Sequence, residues 1–107
     1  TPEKMRFLQY YSRWSSFNMK PNVAITGAFK PDGAVFHHAT LYPAYGVGGY
    51  NGLAPIVYVL SKTSYQVEQE AHQKFKENLM MMHYYTNPYK WLISISGRQP
   101  TGTWSIP

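Results

Sequence analysis

The stretch GAVFHHATLYPAYGVGGYNGLAPIVYVLS, residues 33–61, holds no Asp, Glu, Lys or Arg, and its reading decides the fold. Within it, Leu41 to Leu60 is 20 residues long. As a helix that length covers about 30 Å, the thickness of a bilayer's hydrocarbon layer. Four glycines, four tyrosines, two prolines and Asn51 dilute its hydropathy. Pro43 suits a first helical turn, and Pro55 would free the Asn51 carbonyl and kink the helix, which neighbouring membrane helices can absorb. Tyr42 and Tyr58 fall near the two ends, where amphipathic rings favour a membrane interface. Gly46, Gly48, Gly49 and Gly52 give a smooth surface for a second helix, and Asn51 should turn toward protein. The expectation is a single membrane span. A second reading of the same residues is a pair of strands, Val35 to Tyr42 and Ile56 to Leu60, joined by a glycine-rich turn region.

Helices flank this stretch. Thr1 can cap the first, with Pro2 at its first position and Glu3 in its first turn. Phe7, Tyr10, Tyr11, Trp14 and Phe17 recur at helical spacing, an aromatic stripe expected to pack on a core, with Arg6 and Arg13 beside it. Pro21, Gly27, Pro31 and Gly33 make the following segment a loop, and Lys30-Pro31-Asp32-Gly33 is turn chemistry. After the stretch, Thr63 and Gln66 read as a capping box, with Glu68 and Glu70 in the first turns. Val67, Ala71, Phe75, Leu79 and Met82 line one face, and Glu70 and Lys74 are spaced as an i, i+4 pair. The helix should stop before Pro88. From Tyr84 onward, with Trp91-Leu92-Ile93, Gly97, Pro100, Gly102 and Pro107, the chain reads as an extended arm.

The architecture expected is all-α. Residues 1–32 form an N-terminal helix and loop, 33–61 a single transmembrane helix, and 62–107 an amphipathic helix and extended tail.

Composition points toward a covered surface. Charged residues are 14% of the 107, well under the usual quarter, while aromatics reach 17%. A free monomer normally carries more charge outside. The net charge is +5, but the ten basic residues never form a run of three, so a phosphate-tracking patch is unfavoured and nucleic acid is not expected as a partner. There is no cysteine, which excludes disulfides, thiolate nucleophiles and Cys-type zinc sites.

No catalytic set is legible. His37 and His38 are adjacent, so a regular strand or helix would point them apart. His72 and His83 are about 16 Å apart by helical rise, too far to share a metal. Of the five acids, three belong to the last helix and Asp32 to a turn. The glycines from Gly46 to Gly52 superficially resemble a phosphate loop but have no Lys or Arg nearby. Catalytic, cofactor-binding and metal-ligating residues are all expected to be absent.

Two sets of short words resemble cytochrome c oxidase subunit VIIa. They are Pro2-Glu3-Lys4 with Phe7-Leu8-Gln9, and Gly33-Ala34, Ala39-Thr40 and Val47-Gly48-Gly49 leading into the uncharged segment. The resemblance implies a non-catalytic, single-pass accessory subunit of the mitochondrial inner membrane. It would bind no cofactor or small-molecule substrate, and its partners would be lipid and other subunits of a large respiratory complex. The alternatives are a soluble RNA- or ribosome-associated basic protein and an accessory subunit of another organellar complex.

Overall fold

The computed structural model describes residues 1–86 together with 95 and 96. The first helix, α1, is Pro2–Met19. Thr1 Oγ1 accepts from the Lys4 N–H at 3.3 Å, and Pro2 needs no donor at the first position. The chain leaves α1 at Lys20 in an extended conformation. In the loop that follows, the Ala24 N–H is held by Asn22 Oδ1 at 2.8 Å and the Ala34 N–H by Asp32 Oδ1 at 3.0 Å. Gly33 donates to the Lys30 carbonyl at 3.0 Å with φ of +88°. A Cβ there would lie 2.8 Å from Met81 Cβ, so glycine is needed for both backbone and space.

The chain then forms a small antiparallel hairpin of β1 (Phe36–His37) and β2 (Thr40–Leu41), paired Phe36 to Leu41 and His37 to Thr40. This corrects the all-α expectation. Of the two strands in the alternative reading, only the first region forms a sheet, and it folds back on itself. Ile56 to Leu60 lies in helix α2, Pro43–Leu60. Helix α3 is Gln69–Tyr85 and ends at Thr86, ahead of Pro88. The arm expected from Tyr84 is still helical at Tyr84 and Tyr85, and beyond Thr86 it lies outside the described residues apart from 95 and 96.

Among the described residues no helix is long and apolar enough to cross a membrane, which overturns the span expected from the uncharged segment. The first residues of that segment go to the hairpin, and α2 has 18 residues. Its Pro43, Gly46, Val47, Tyr50 and Leu60 are buried in the protein's own structure. The interface roles expected of Tyr42 and Tyr58 presupposed the span: Tyr42 is instead buried, and Tyr58 is exposed.

One core joins all these parts: Met19, Phe29, Val35, Val47, Tyr50, Val67, Ala71, Phe75 and Met82. Tyr50 is its centre, with ring contacts to Phe29 at 5.9 Å and Phe75 at 5.4 Å between centroids. Burial, with Tyr85 as a lesser cause, pushes the Tyr50 hydroxyl far above the usual tyrosine range.

Helix α1 docks by the face opposite to the one its aromatic stripe suggested. Ser15, Ser16 and Met19 are buried, while Phe7, Tyr10, Tyr11, Trp14 and Phe17 are all exposed. The small serines allow close approach and supply hydrogen bonds that an aromatic face lacks. Ser12 Oγ donates to the Gln66 carbonyl at 3.1 Å, and Ser16 Oγ accepts from the Glu68 N–H at 3.0 Å. Those bonds bear on the start of α3 as well. Thr63 Oγ1 accepts from Tyr65 N–H and donates to the Leu60 carbonyl, closing a turn instead of capping a helix. The helix therefore begins at Gln69. Lys74 pairs with Glu77 at 2.7 Å instead of with Glu70.

Candidate functional site: a histidine and tyrosine cluster

Two residues connect the strands of the hairpin, His38 and Ala39, with φ of +51° and +60°. A two-residue connection of this kind needs positive φ at both positions, which Asn-Gly supplies at little cost. A histidine and an alanine there are strained, by about 1–2 kcal/mol each. Non-glycine residues held in this region are enriched at functional sites, although Lys62, past the end of α2, shares the conformation with φ of +59°.

The turn brings together what a regular strand would separate. The His37 and His38 rings lie 4.3 Å apart between centroids, edge to face. Pro43 starts α2 directly after the hairpin, so the first turn of the helix swings Tyr45 back over the strands. The Tyr45 ring stacks on His37 at 4.1 Å and lies 5.6 Å from His38. Tyr42 completes the set, 4.7 Å from Tyr45 and 6.0 Å from His38. Tyr42 is buried and forms the floor, whereas His37, His38 and Tyr45 are open to solvent. Regular strand or helix geometry would hold the adjacent histidines apart, and the chain reversal at His38 brings them together instead. Sequence reasoning weighed His38 and set it aside, and passed over Tyr45; the turn at His38-Ala39 carried no signal, being made without glycine, asparagine or aspartate.

The hairpin is tied down from behind. Lys30 is buried, its Nζ donates to the Ala24 carbonyl, and it lies 5.0 Å from the centroid of the Phe36 ring. The Phe36 N–H donates to the Ala28 carbonyl at 2.8 Å, and the Tyr42 N–H to the Val35 carbonyl at 3.0 Å. The strand ahead of His37 is thus fixed by bonds from the preceding loop.

The glycines expected to form a helix-docking face behave unequally. A Cβ on Gly46 would meet Met82 Cε at 2.9 Å and Val35 at 3.4 Å, so this glycine lets α2 approach α3 and the hairpin. Gly48, Gly49 and Gly52 have open space where a Cβ would stand, and Asn51 is exposed.

A hairpin that presents imidazoles and a phenol together, on a strained turn, defines a candidate acid–base centre. The family described as "Lyase, catalytic" matches residues 1–107, and the chain belongs to it. It is 42% identical over 102 residues to a chondroitin sulfate ABC exolyase of Bacteroides thetaiotaomicron, covering 95% of this chain. It is 35% identical over 104 residues to another of that name from Proteus vulgaris, covering 97% of this chain. The chain spans about a tenth of the length of these relatives.

Membership in this family overturns the resemblance to cytochrome c oxidase subunit VIIa. Words such as Val47-Gly48-Gly49 and Gly33-Ala34 are built of small residues that recur in unrelated chains. The non-catalytic respiratory role, the inner-membrane location and the partners expected there, lipid and other subunits, fall with it. So does the RNA- or ribosome-associated alternative. The relatives are bacterial enzymes whose names specify a polysaccharide, which also removes the expectation of a chain without a substrate.

Proposed function

We propose that this chain carries the proton-transfer groups of a polysaccharide lyase that opens chondroitin sulfate by elimination. The observation that carries the reading is the ring cluster at the hairpin, with His38 held in a left-handed conformation 5.6 Å from Tyr45. Chondroitin sulfate has a carboxylate on alternate sugars. The hydrogen on the carbon next to that carboxylate is the one a base can remove, and the glycosidic oxygen sits on the next carbon along.

The step needs one base and one acid. The imidazole of His38 takes the proton from the carbon, the electron pair forms a C=C bond, and the C–O bond to the next sugar breaks. The Tyr45 hydroxyl gives its proton to the departing oxygen. No water is consumed, and the products are an unsaturated uronate end and a new sugar hydroxyl. Proton exchange between imidazolium and phenolate then resets the pair. Stacked on Tyr45, His37 limits where that ring can go, and Tyr42 supports it from below. Histidine and tyrosine are both suited to such transfers, and a well-placed acid or base contributes about 100- to 10,000-fold.

His38→Ala and Tyr45→Phe should each lower turnover of chondroitin sulfate within that range, followed as the ultraviolet absorbance of unsaturated uronate. Far-ultraviolet circular dichroism should stay unchanged, since both side chains are exposed. Retention of full turnover by both variants would overturn the assignment.

A further inference from the structure

The exposed face of α1 belongs neither to the core nor to the histidine and tyrosine cluster. Arg6, Gln9, Tyr10 and Arg13 share one open strip of this face, and Phe7, Tyr10, Tyr11 and Trp14 share the next. Tyr10 is common to both, so they form one surface. Arg6 and Arg13 are seven residues apart, about 10.5 Å along the axis, and point away from the buried serines. Neither is in an ion pair among the described residues, where the bridges are Lys20–Glu68 and Lys74–Glu77. The acid within α1 is Glu3, in its first turn.

Two open guanidinium groups beside a bank of flat rings are a specific chemistry. A guanidinium meets a sulfate or carboxylate with two parallel hydrogen bonds. Aromatic rings give broad contact at small entropic cost and present an electron-rich face to the C–H groups of a sugar. Phe7, Tyr10, Tyr11 and Trp14 are all more than half exposed on this one face, and clustered exposed rings are a feature of interaction surfaces. A purely apolar partner would bury both arginines without counter-charges, which is costly. An anionic glycan satisfies arginines and rings together.

We infer that the outer face of α1, through Arg6, Arg13, Tyr10 and Trp14, binds a sulfated polysaccharide away from the reacting groups. This rests on the reading of the chain as part of a chondroitin sulfate lyase, and it adds a surface that grips the polymer while the hairpin reacts.

The test is titration calorimetry of the 107-residue chain with chondroitin sulfate oligosaccharides, and with the same oligosaccharides after chemical desulfation. The Arg6→Gln/Arg13→Gln double variant should bind at least about tenfold more weakly and show a shallower salt dependence. Tyr10→Ala with Trp14→Ala should weaken binding while leaving the salt dependence as it was, and desulfation should mimic loss of the arginines. Equal affinity and salt dependence in the arginine variant would overturn the inference. So would equal binding before and after desulfation. His38→Ala separates the two proposals. If α1 variants bind normally while His38→Ala abolishes turnover, this inference falls and the reaction assignment stands. If α1 variants lose binding while His38→Ala turns over normally, the reverse holds.

Discussion

Replacing Ala39 with glycine should make the protein more stable and a worse catalyst. Ala39 has φ of +60° at the second position of the hairpin turn, and its neighbour His38 has +51°. For an L-residue this conformation costs about 1–2 kcal/mol. Glycine removes that cost but gives back about 0.5–1 kcal/mol because it has more freedom to lose on folding. The net expectation is a gain of about 0.5–1 kcal/mol. For a chain of this size 1 kcal/mol moves the melting temperature by about 4–8 °C, so Tm should rise by about 2–8 °C. Turnover should move the other way. Ala39 fixes the backbone that aims His38, and a misplacement of about 1 Å can cost about 100-fold, so a fall between about threefold and 100-fold is expected. Thermal unfolding followed by circular dichroism, paired with an elimination assay, measures both. A lower Tm would show that the turn is not strained at Ala39. A higher Tm with unchanged turnover would show that the strain has no bearing on His38.

Two further outcomes follow from packing and burial. Gly48→Ala should stabilise α2 by about 0.5–1 kcal/mol, since the new methyl meets open space and alanine favours the helix. Gly46→Val should cost about 1–3 kcal/mol by crowding Met82 and Val35, and urea unfolding midpoints would compare the two. Burial, helped by the nearby charge of Asp32, pushes the Tyr85 hydroxyl up to about 12. The unfolded chain's tyrosine ionises near pH 10, so the stability this group contributes is intact below that and is lost as pH rises toward about 12. Tyr85→Phe should move the alkaline unfolding transition to higher pH, and an unmoved transition would refute a link to this residue.

The helices were legible because their signals are local. Thr1-Pro2-Glu3 marks the start of α1 whatever it packs against, and Pro88 limits α3 from outside. Which face of α1 turns inward was not legible, because both faces can bury something. Ser12 and Ser16 win since they reach Gln66 and Glu68 across 54 and 52 residues of chain, a pairing that no window of sequence contains. The start of α3 was misplaced for the same reason: the Thr63 hydroxyl satisfies a turn, and the serines of α1 hold the chain extended until Gln69. The hairpin was hidden by its own turn. His38-Ala39 lacks the residues that announce a two-residue connection, so the rule that finds ordinary hairpins passes over this one.

The missing charges of residues 33–61 then have an explanation that needs no bilayer. On the lyase reading, an imidazole must be neutral to take a proton and a phenol protonated to give one. Thr40 is the residue paired directly across from His37. A glutamate there would favour imidazolium in the cluster and disable the base, while a lysine at the same place would favour phenolate at Tyr45 and disable the acid. Gly46 and Val47, one turn further on, are buried, where any charge would be desolvated and unpaired. Residues 33–61 themselves place no charged side chain beside the proposed proton-transfer groups. The same absence that imitates a membrane segment is what a site built on His38 and Tyr45 requires of its neighbours.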